Sequence, residues 1–324
     1  MLIILSIETS YHLRMTAALI KAQREALARL SKTQLERLSF IDFRLYFLGD
    51  LRRSDVANRF GTGPAAATRD IALYREIAPD NLALHADKVY RWAPAFASLF
   101  EHEPQRVLTA LSQGFGDGIG DDLMPMVRCE IPSMLTTPKM SVLAPISRAI
   151  HRRMPVHLGY TSVESGRTER ELVPLALVDI GIRWHLRAFD RRRQEFRDFV
   201  LTRMDNPTVL EGGVVRYEET AECDVQWSRV IELELVPHPN HPRPEIVCMD
   251  YDMPADGVLR VRVRAANAGY MLRRWTVDCS ADHRLRGLEF ALWLRDPLTL
   301  YGASNAQLAP GYEDPRSARS IKAM

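Results

Sequence analysis

The sequence predicts an α+β protein of several small domains: an N-terminal winged helix-turn-helix, a small β-barrel in the middle and a small α/β unit towards the C-terminus. Three observations predict it. Two short helical patterns flank Gly61-Thr62-Gly63 and are followed by a hairpin pattern. Four short strand-like runs with turns between them occupy residues 155–201, the spacing of a small barrel. From Val230 onward, alternating strands bracket one helical stretch. The 324 residues suit two or three domains at roughly 150 residues each.

Composition narrows the class further. With 46% hydrophobic, 26% charged and 8% aromatic residues the chain is an ordinary globular protein, which excludes collagen-like, low-complexity and wholly disordered classes. The net charge of +2 points to no partner, so any nucleic-acid face must be local. Lys occurs only at Lys21, Lys32, Lys88, Lys139 and Lys322, so Arg supplies nearly all the 43 basic residues. Arg suits bidentate contact with phosphates and guanine edges, and codon bias produces the same excess. Cys129, Cys223, Cys248 and Cys279 are too far apart for a zinc knuckle or a redox pair and read as buried thiols in a reducing cytosol. The opening apolar run stops at Glu8, and no run reaches the ~18 residues of a membrane helix, so a cytoplasmic protein without membrane contact is expected. Met15 begins a better helical pattern, and residues 1–14 read as an upstream start-site extension.

Residues 15–31 contain strong helix formers and no Gly or Pro, giving an N-terminal region, 1–30, of extension and helix. A second helix carries Leu35, Leu38, Ile41, Leu45 and Leu48 and ends at Gly49-Asp50, opening a winged helix-turn-helix domain over 31–112. Ser54 and Asp55 supply a cap and a first-turn acid for a helix stopped by Gly61. Pro64 starts the next, with Ala67, Ile71, Tyr74 and Ala78 on one face. The opposite face presents Ala65, Arg69 and Ala72, flanked by Thr68 and Arg75. Small residues let a helix approach the floor of a major groove, while Arg and Thr reach base edges or phosphates. Residues 82–92 alternate about Ala86-Asp87 as a wing hairpin, with Lys88 and Arg91 for the backbone. Candidate duplex contacts are therefore Arg53, Thr62, Ala65, Ala66, Thr68, Arg69, Lys88 and Arg91. A plain packing motif with a solvated basic face is the alternative.

Residues 94–112 read as a helix and 113–140 as a linker. The glycines of 113–122 do not make a phosphate cradle, because no strand precedes them and Asp117, Asp121 and Asp122 repel an anion. Residues 141–205 form the next domain, a short helix followed by the barrel strands. In the strand Trp184–Asp190, period-two alternation puts Trp184, Leu186 and Ala188 on the core face and His185, Arg187 and Phe189 on a face free to bind. From Arg183 to Arg203 there are seven Arg against three acids beside Phe189, Phe196 and Phe199. That is the composition of a groove pairing phosphates with stacked bases, and equally of an Arg-rich hairpin tip at 191–193. Residues 206–229 connect to an α/β unit over 230–302, and 303–324 read as a disordered tail.

The segment Trp184 to Asp190, with Phe196 to Met204, Gly159 to Ser162 and Leu172-Val173-Pro174, resembles the WYL domain, His185 standing in the Tyr place. Further segments, among them Phe40 to Tyr46, Asp55 to Gly61, Ala78 to Leu82, Pro237-His238-Pro239 and Leu272 to Ser280, extend the likeness over residues 33 to 295. As a whole the chain is similar to the WYL regulators beside bacterial anti-phage islands of the BREX and CBASS types, the BrxR and CapW family. The resemblance implies a homodimeric transcriptional repressor of a defence operon, with an SH3/Sm-like WYL barrel and a WCX-like C-terminal dimerisation domain. It implies an inverted-repeat DNA operator bound by the winged helices and a nucleic-acid fragment or nucleotide effector held by Tyr160, Ser162, His185, Arg187 and Arg203. His185 is then expected to change charge near neutral pH. The recognition helix departs from the family in carrying Ala65-Ala66-Ala67 where relatives are more polar.

Two rival readings remain. One is an oligonucleotide-sensing module without promoter activity. The other is a metal-dependent nuclease or phosphodiesterase using His238, His241, Cys248, Asp250 and Asp252, which the surrounding prolines disfavour because no helix can pair the histidines. No catalytic group, metal or cofactor is expected.

Overall fold

A computed structural model describes residues 19–115, 125–131 and 135–315. It divides into two compact units, Met1–Pro132 and Ser133–Met324. The expected start-site extension, residues 1–14, lies outside the described residues.

In the first unit α1 (residues 19–28) precedes α2 (Lys32–Phe43), which begins at a capping box between Ser31 and Gln34. A π-helical turn, Arg44–Leu48, prolongs α2 and ends at Gly49, whose φ of +79° only glycine adopts without strain. Strand β1 (Asp50–Leu51) leads into α3 (Arg53–Phe60). Ser54 does not cap α3; the Asp55 carboxylate accepts from the Arg52 N–H at 2.7 Å instead. After Gly61, α4 (Pro64–Ile77) begins with proline at its first position. Strands β2 (Leu82–Leu84) and β3 (Tyr90–Trp92) form the hairpin, and β1 joins them in the order β1-β3-β2.

Leu38, Ile41, Leu45, Leu51, Val56, Ala67, Ile71 and Tyr74 make the core, each large side chain contributing roughly 1.5–3 kcal/mol on burial. Inside it Asp42, fully buried, accepts from Tyr74 Oη at 2.6 Å, Ser98 Oγ at 2.5 Å and the Leu99 N–H at 3.0 Å, and lies 3.0 Å from His102 Nε2. The helix expected over 94–112 starts only at α5 (Pro104–Gln113), where Glu103 caps it. Residues before it are held out of a helix because Asn81 bonds the Ala97 N–H and carbonyl at 2.9 and 2.8 Å. Of the expected linker, 116–124 and 132–134 lie outside the described residues, while the Met126 N–H bonds Leu111 at 2.8 Å.

The second unit opens with α6 (Met140–Arg152). It packs Val142, Ile146 and Ala149 on a sheet of β4 (Val156–Ser162), β5 (Gly166–Asp179), β6 (Trp184–Asp190), β7 (Glu195–Val200) and β8 (Met204–Val209). Strand order is β7-β6-β5-β4-β8, with no ladder between the edge strands β7 and β8, so backbone pairing does not close the small barrel that was expected. The 3₁₀ turn Leu201–Arg203 joins those two edges. Pro174 sits inside the central strand β5, which is possible because the register slips between Pro174 and Ala176 and removes the need for its N–H. Strand β8 pairs Val209 with Val156, which carries this domain past the expected end at 205.

After α7 (Val225–Ser228), a second sheet contains β9 (Val230–Pro237), β10 (Leu259–Arg264), β11 (Val277–Asp278) and β12 (Leu292–Leu294) in the order β10-β9-β12-β11, with α8 (Pro244–Asp250) and α9 (Ala268–Arg274). The last strand, expected from Leu288, is only three residues long. Alternation puts Ile231, Leu233 and Leu235 inward with Val247 and Leu272. The tail expected to be disordered from 303 is folded as far as 315: Ala303, Ala306 and Ala309 are buried in this core, and Asn305 accepts from Gly269 N–H at 3.0 Å. Residues 316–324 lie outside the described residues.

Candidate functional site

The outer face of α4 is built by default from its inner one. Ala67, Ile71 and Tyr74 are buried, and Asp70 anchors the helix through a fork from Arg37 at 2.7 and 3.2 Å. The hundred-degree step then leaves Ala65, Thr68, Arg69, Ala72 and Arg75 exposed, with Ala66 half-buried. Thr68 donates its hydroxyl to the Pro64 carbonyl at 2.9 Å, which leaves its oxygen free to accept. Arg69 makes no hydrogen bond or ion pair among the described residues and stands in solvent, as does Arg53 at the start of α3. Thr62 is half-buried and its hydroxyl has no partner. On the wing, Lys88 is exposed at a φ of +61°, and Arg91 is exposed but shares its charge with Asp87 at 2.8 Å. The face is therefore small and basic, with Arg69, Arg53, Arg75 and Lys88 its unspent charges.

In the second unit the expected ligand residues separate. Tyr160 is a core residue, 5.1 Å from Phe199 ring to ring, its hydroxyl accepting from the Val200 N–H at 3.3 Å. Ser162, at the end of β4, accepts from the Glu164 N–H at 3.2 Å. The face of β6 expected to be free is covered: Arg187 is buried, donating to Asp224 at 2.8 and 3.0 Å and to Asp198 at 3.1 Å. The stacking groove expected beside it is likewise filled, because Phe189 is buried on Phe196 and Phe199 lies in the core. Arg191 is clamped by Glu219 and Glu171, leaving Arg192 and Arg193 at an exposed hairpin tip. Sequence reading could not see Asp224 and Glu219, which arrive from 37 and 28 residues away along the chain.

His185 and Arg203 remain together. The imidazole is 3% exposed, neither ring nitrogen has a partner, and it meets Tyr270 of α9 edge-on at 5.2 Å. Burial, reinforced by the Arg183 and Arg203 charges, pushes its pKa down to about 4, so the expectation of a charge change near neutrality is corrected: this histidine stays neutral there. Tyr270 also donates to Asp198 at 3.3 Å, linking α9 to β7. The sequence reading missed Arg183 and Tyr270 as site residues; Arg183 is two residues from His185 along the chain, and only the packing of α9 brings Tyr270 there. Among the described residues no group of three or more metal-ligating side chains occurs: His238 contacts Asp278 at 3.1 Å, and His241 accepts from the Arg243 N–H. No helix among them is long and apolar enough to cross a membrane.

Comparison with known proteins follows the same three parts. The family model of the BrxR transcriptional regulator winged helix-turn-helix domain matches residues 33–113, the WYL domain 141–209, and the BrxR transcriptional regulator C-terminal dimerization domain 230–300. A DNA-binding transcriptional repressor CapW of Stenotrophomonas maltophilia is 32% identical over 259 residues, 76% of this chain and 85% of that protein. The proteins of the same name from Pseudomonas aeruginosa and Escherichia coli (strain KTE188) are 30% and 29% identical, each over 82% of this chain and 90% of theirs. A solved structure, proteasome accessory factor B/C of Arthrobacter aurescens, aligns at 18% identity with a TM-score of 0.23, over 91% of this chain and about half of that one, 54%. With winged helix, WYL domain and dimerisation domain in that order, and a CapW at 32% identity over three quarters of its length, the chain belongs to the BrxR/CapW family of WYL transcriptional regulators.

Proposed function

We propose that this protein is a homodimeric repressor of an anti-phage defence operon, which binds an inverted-repeat operator and releases it when a nucleic-acid fragment or nucleotide occupies the WYL domain. The observation that carries the reading is the outer face of α4: alanines at Ala65 and Ala72 keep it low enough to enter a major groove, and Arg69 is left without a protein partner. The curated relatives named DNA-binding transcriptional repressor support it. Lys88 and Arg53 are placed to contact phosphates, and two copies joined through the C-terminal domain present two such helices to half-sites about one helical turn, ~34 Å, or a multiple apart. His185, an effector candidate that feels the Arg203 charge, lies where the WYL sheet meets α9, so occupancy there bears on the dimerising domain.

The test is a gel-shift titration of the full chain against the DNA upstream of its own gene, with a scrambled duplex as control, at physiological salt. A specific repressor binds one inverted repeat at least ~10³-fold more tightly than the scrambled duplex. Equal, weak binding to both refutes the operator and leaves the oligonucleotide-sensing alternative.

A further inference from the structure

A cavity of about 360 Å³ opens between the β5–β6 turn and α9, walled by Ile180, Ile182 and Leu308 on its apolar side and by Tyr270, Arg183, Arg273 and Arg274 on its polar side. Its construction is specific. Gly181, at a φ of +82°, lets the Arg274 side chain lie across the turn: a Cβ there would sit 2.4 Å from Arg274 Nε. Asp179 holds the turn by accepting from the Gly181 N–H at 2.7 Å, and Thr136 donates to the Ile182 carbonyl at 2.9 Å. Tyr270, Arg273 and Arg274 fall at helical spacings of three and four, one face of α9.

The charge balance is unusual for a cavity of this size. Three guanidinium groups line it and no carboxylate does; at its edge Asp179 pairs with Arg274 at 3.9 Å and Asp198 accepts from Tyr270 at 3.3 Å. Arg183 Nε is buried without a partner, and directly behind Tyr270 lie the two unpartnered ring nitrogens of His185. Buried donors are ordinarily satisfied, and three guanidinium groups that share one ion pair, to Asp179, call for an anion. Guanidinium forks match the oxygens of a phosphate, while the tyrosine ring and the aliphatic wall match a flat or apolar group attached to it.

We propose that this cavity binds a phosphomonoester carrying a planar group, a nucleoside monophosphate or the 5′-phosphorylated end of a short strand, with Arg183, Arg273 and Arg274 on the phosphate and Tyr270 against the attached group. The C-terminal domain thereby supplies effector contacts of its own, and Tyr270 passes occupancy to Asp198 of β7. This rests on the effector-sensing part of the reading above and adds the ligand class and residues outside the WYL domain.

The test is calorimetric titration of the full-length protein with adenosine 5′-monophosphate against adenosine, and with a 5′-phosphorylated tetradeoxynucleotide against its unphosphorylated form. Each phosphorylated probe should bind at least about tenfold more tightly than its control, the worth of one charge-assisted bond. The double variant Arg273→Gln, Arg274→Gln, on exposed side chains, should remove that advantage with its melting temperature confirming a folded protein, while Arg192→Gln at the hairpin tip should not. Preference for the strand alone assigns the source to oligonucleotide ends; preference for both assigns it to the phosphomonoester itself. Equal binding of phosphorylated and unphosphorylated probes, or full affinity in the double variant, overturns the proposal. A protein that shifts its operator yet binds neither probe refutes this inference alone, and one that binds the probes but no operator refutes the repressor reading alone.

Discussion

Arg187 of β6 and Asp224, just ahead of α7, form a two-bond fork, Nε to Oδ2 at 2.8 Å and Nη2 to Oδ1 at 3.0 Å, beneath the surface of the second unit. The third nitrogen reaches Asp198, so one guanidinium compensates two carboxylates. Arg187→Ala should therefore cost about 3–5 kcal/mol, because it strands both acids away from water, whereas Arg187→Met combined with Asp198→Asn and Asp224→Asn, which leaves no stranded charge and keeps the Asp224 position able to cap α7, should cost far less. Urea denaturation of the two variants checks this; equal losses would mean that packing rather than charge dominates.

Gly269 offers a sharper test of the residues following 302. A Cβ at that position would lie 1.9 Å from the backbone carbonyl oxygen of Asn305, which cannot rotate aside. Gly269→Ala should destabilise by about 1–3 kcal/mol or more, the cost of overpacking. Thermal melting, with proteolysis reporting release of the segment after 302, measures it; an unchanged melt would mean that residues 303–315 are not part of the core.

The depressed pKa of His185 fixes the sign of a pH effect. Its folded value of about 4 lies below its ordinary 6.5, so between those limits the unfolded chain binds the extra proton and stability declines as pH falls. Above about 6.5 the contribution is complete. The slope should reach at most about 1.4 kcal/mol per pH unit, and His185→Phe should flatten it. Denaturation midpoints at pH 7, 6 and 5 decide; identical slopes for both proteins would show that the histidine protonates equally well when folded.

On the proposed DNA face, Arg69→Ala should cost about 1–3 kcal/mol of operator affinity and relax preference at one base pair, as loss of a base contact does. Lys88→Ala should instead weaken all duplexes alike and lower the salt slope by about 1. Fluorescence anisotropy over a salt series separates them. A change in salt slope without a change in base preference for Arg69→Ala would reassign that residue to the backbone.

By itself the sequence determined the local elements. Glycines at 49 and 61, Pro64 and the spacing of Ala67, Ile71 and Tyr74 fix helix limits and the buried face through backbone conformation and periodicity alone, and with them the outward residues of α4. The family, too, was legible, because its segments are distributed along the chain. Which charges remain free was settled by packing in three dimensions. Arg69 and Arg187 are the same residue type on comparable amphipathic elements, yet one stands in solvent and the other is enclosed by Asp198 and Asp224. Likewise Tyr160, Phe189 and Phe199 were spent on packing, and residues 303–315 were folded by small alanines that fit a core built elsewhere. Burial and ion pairing depend on partners remote in sequence, and no local pattern encodes where those partners come to rest.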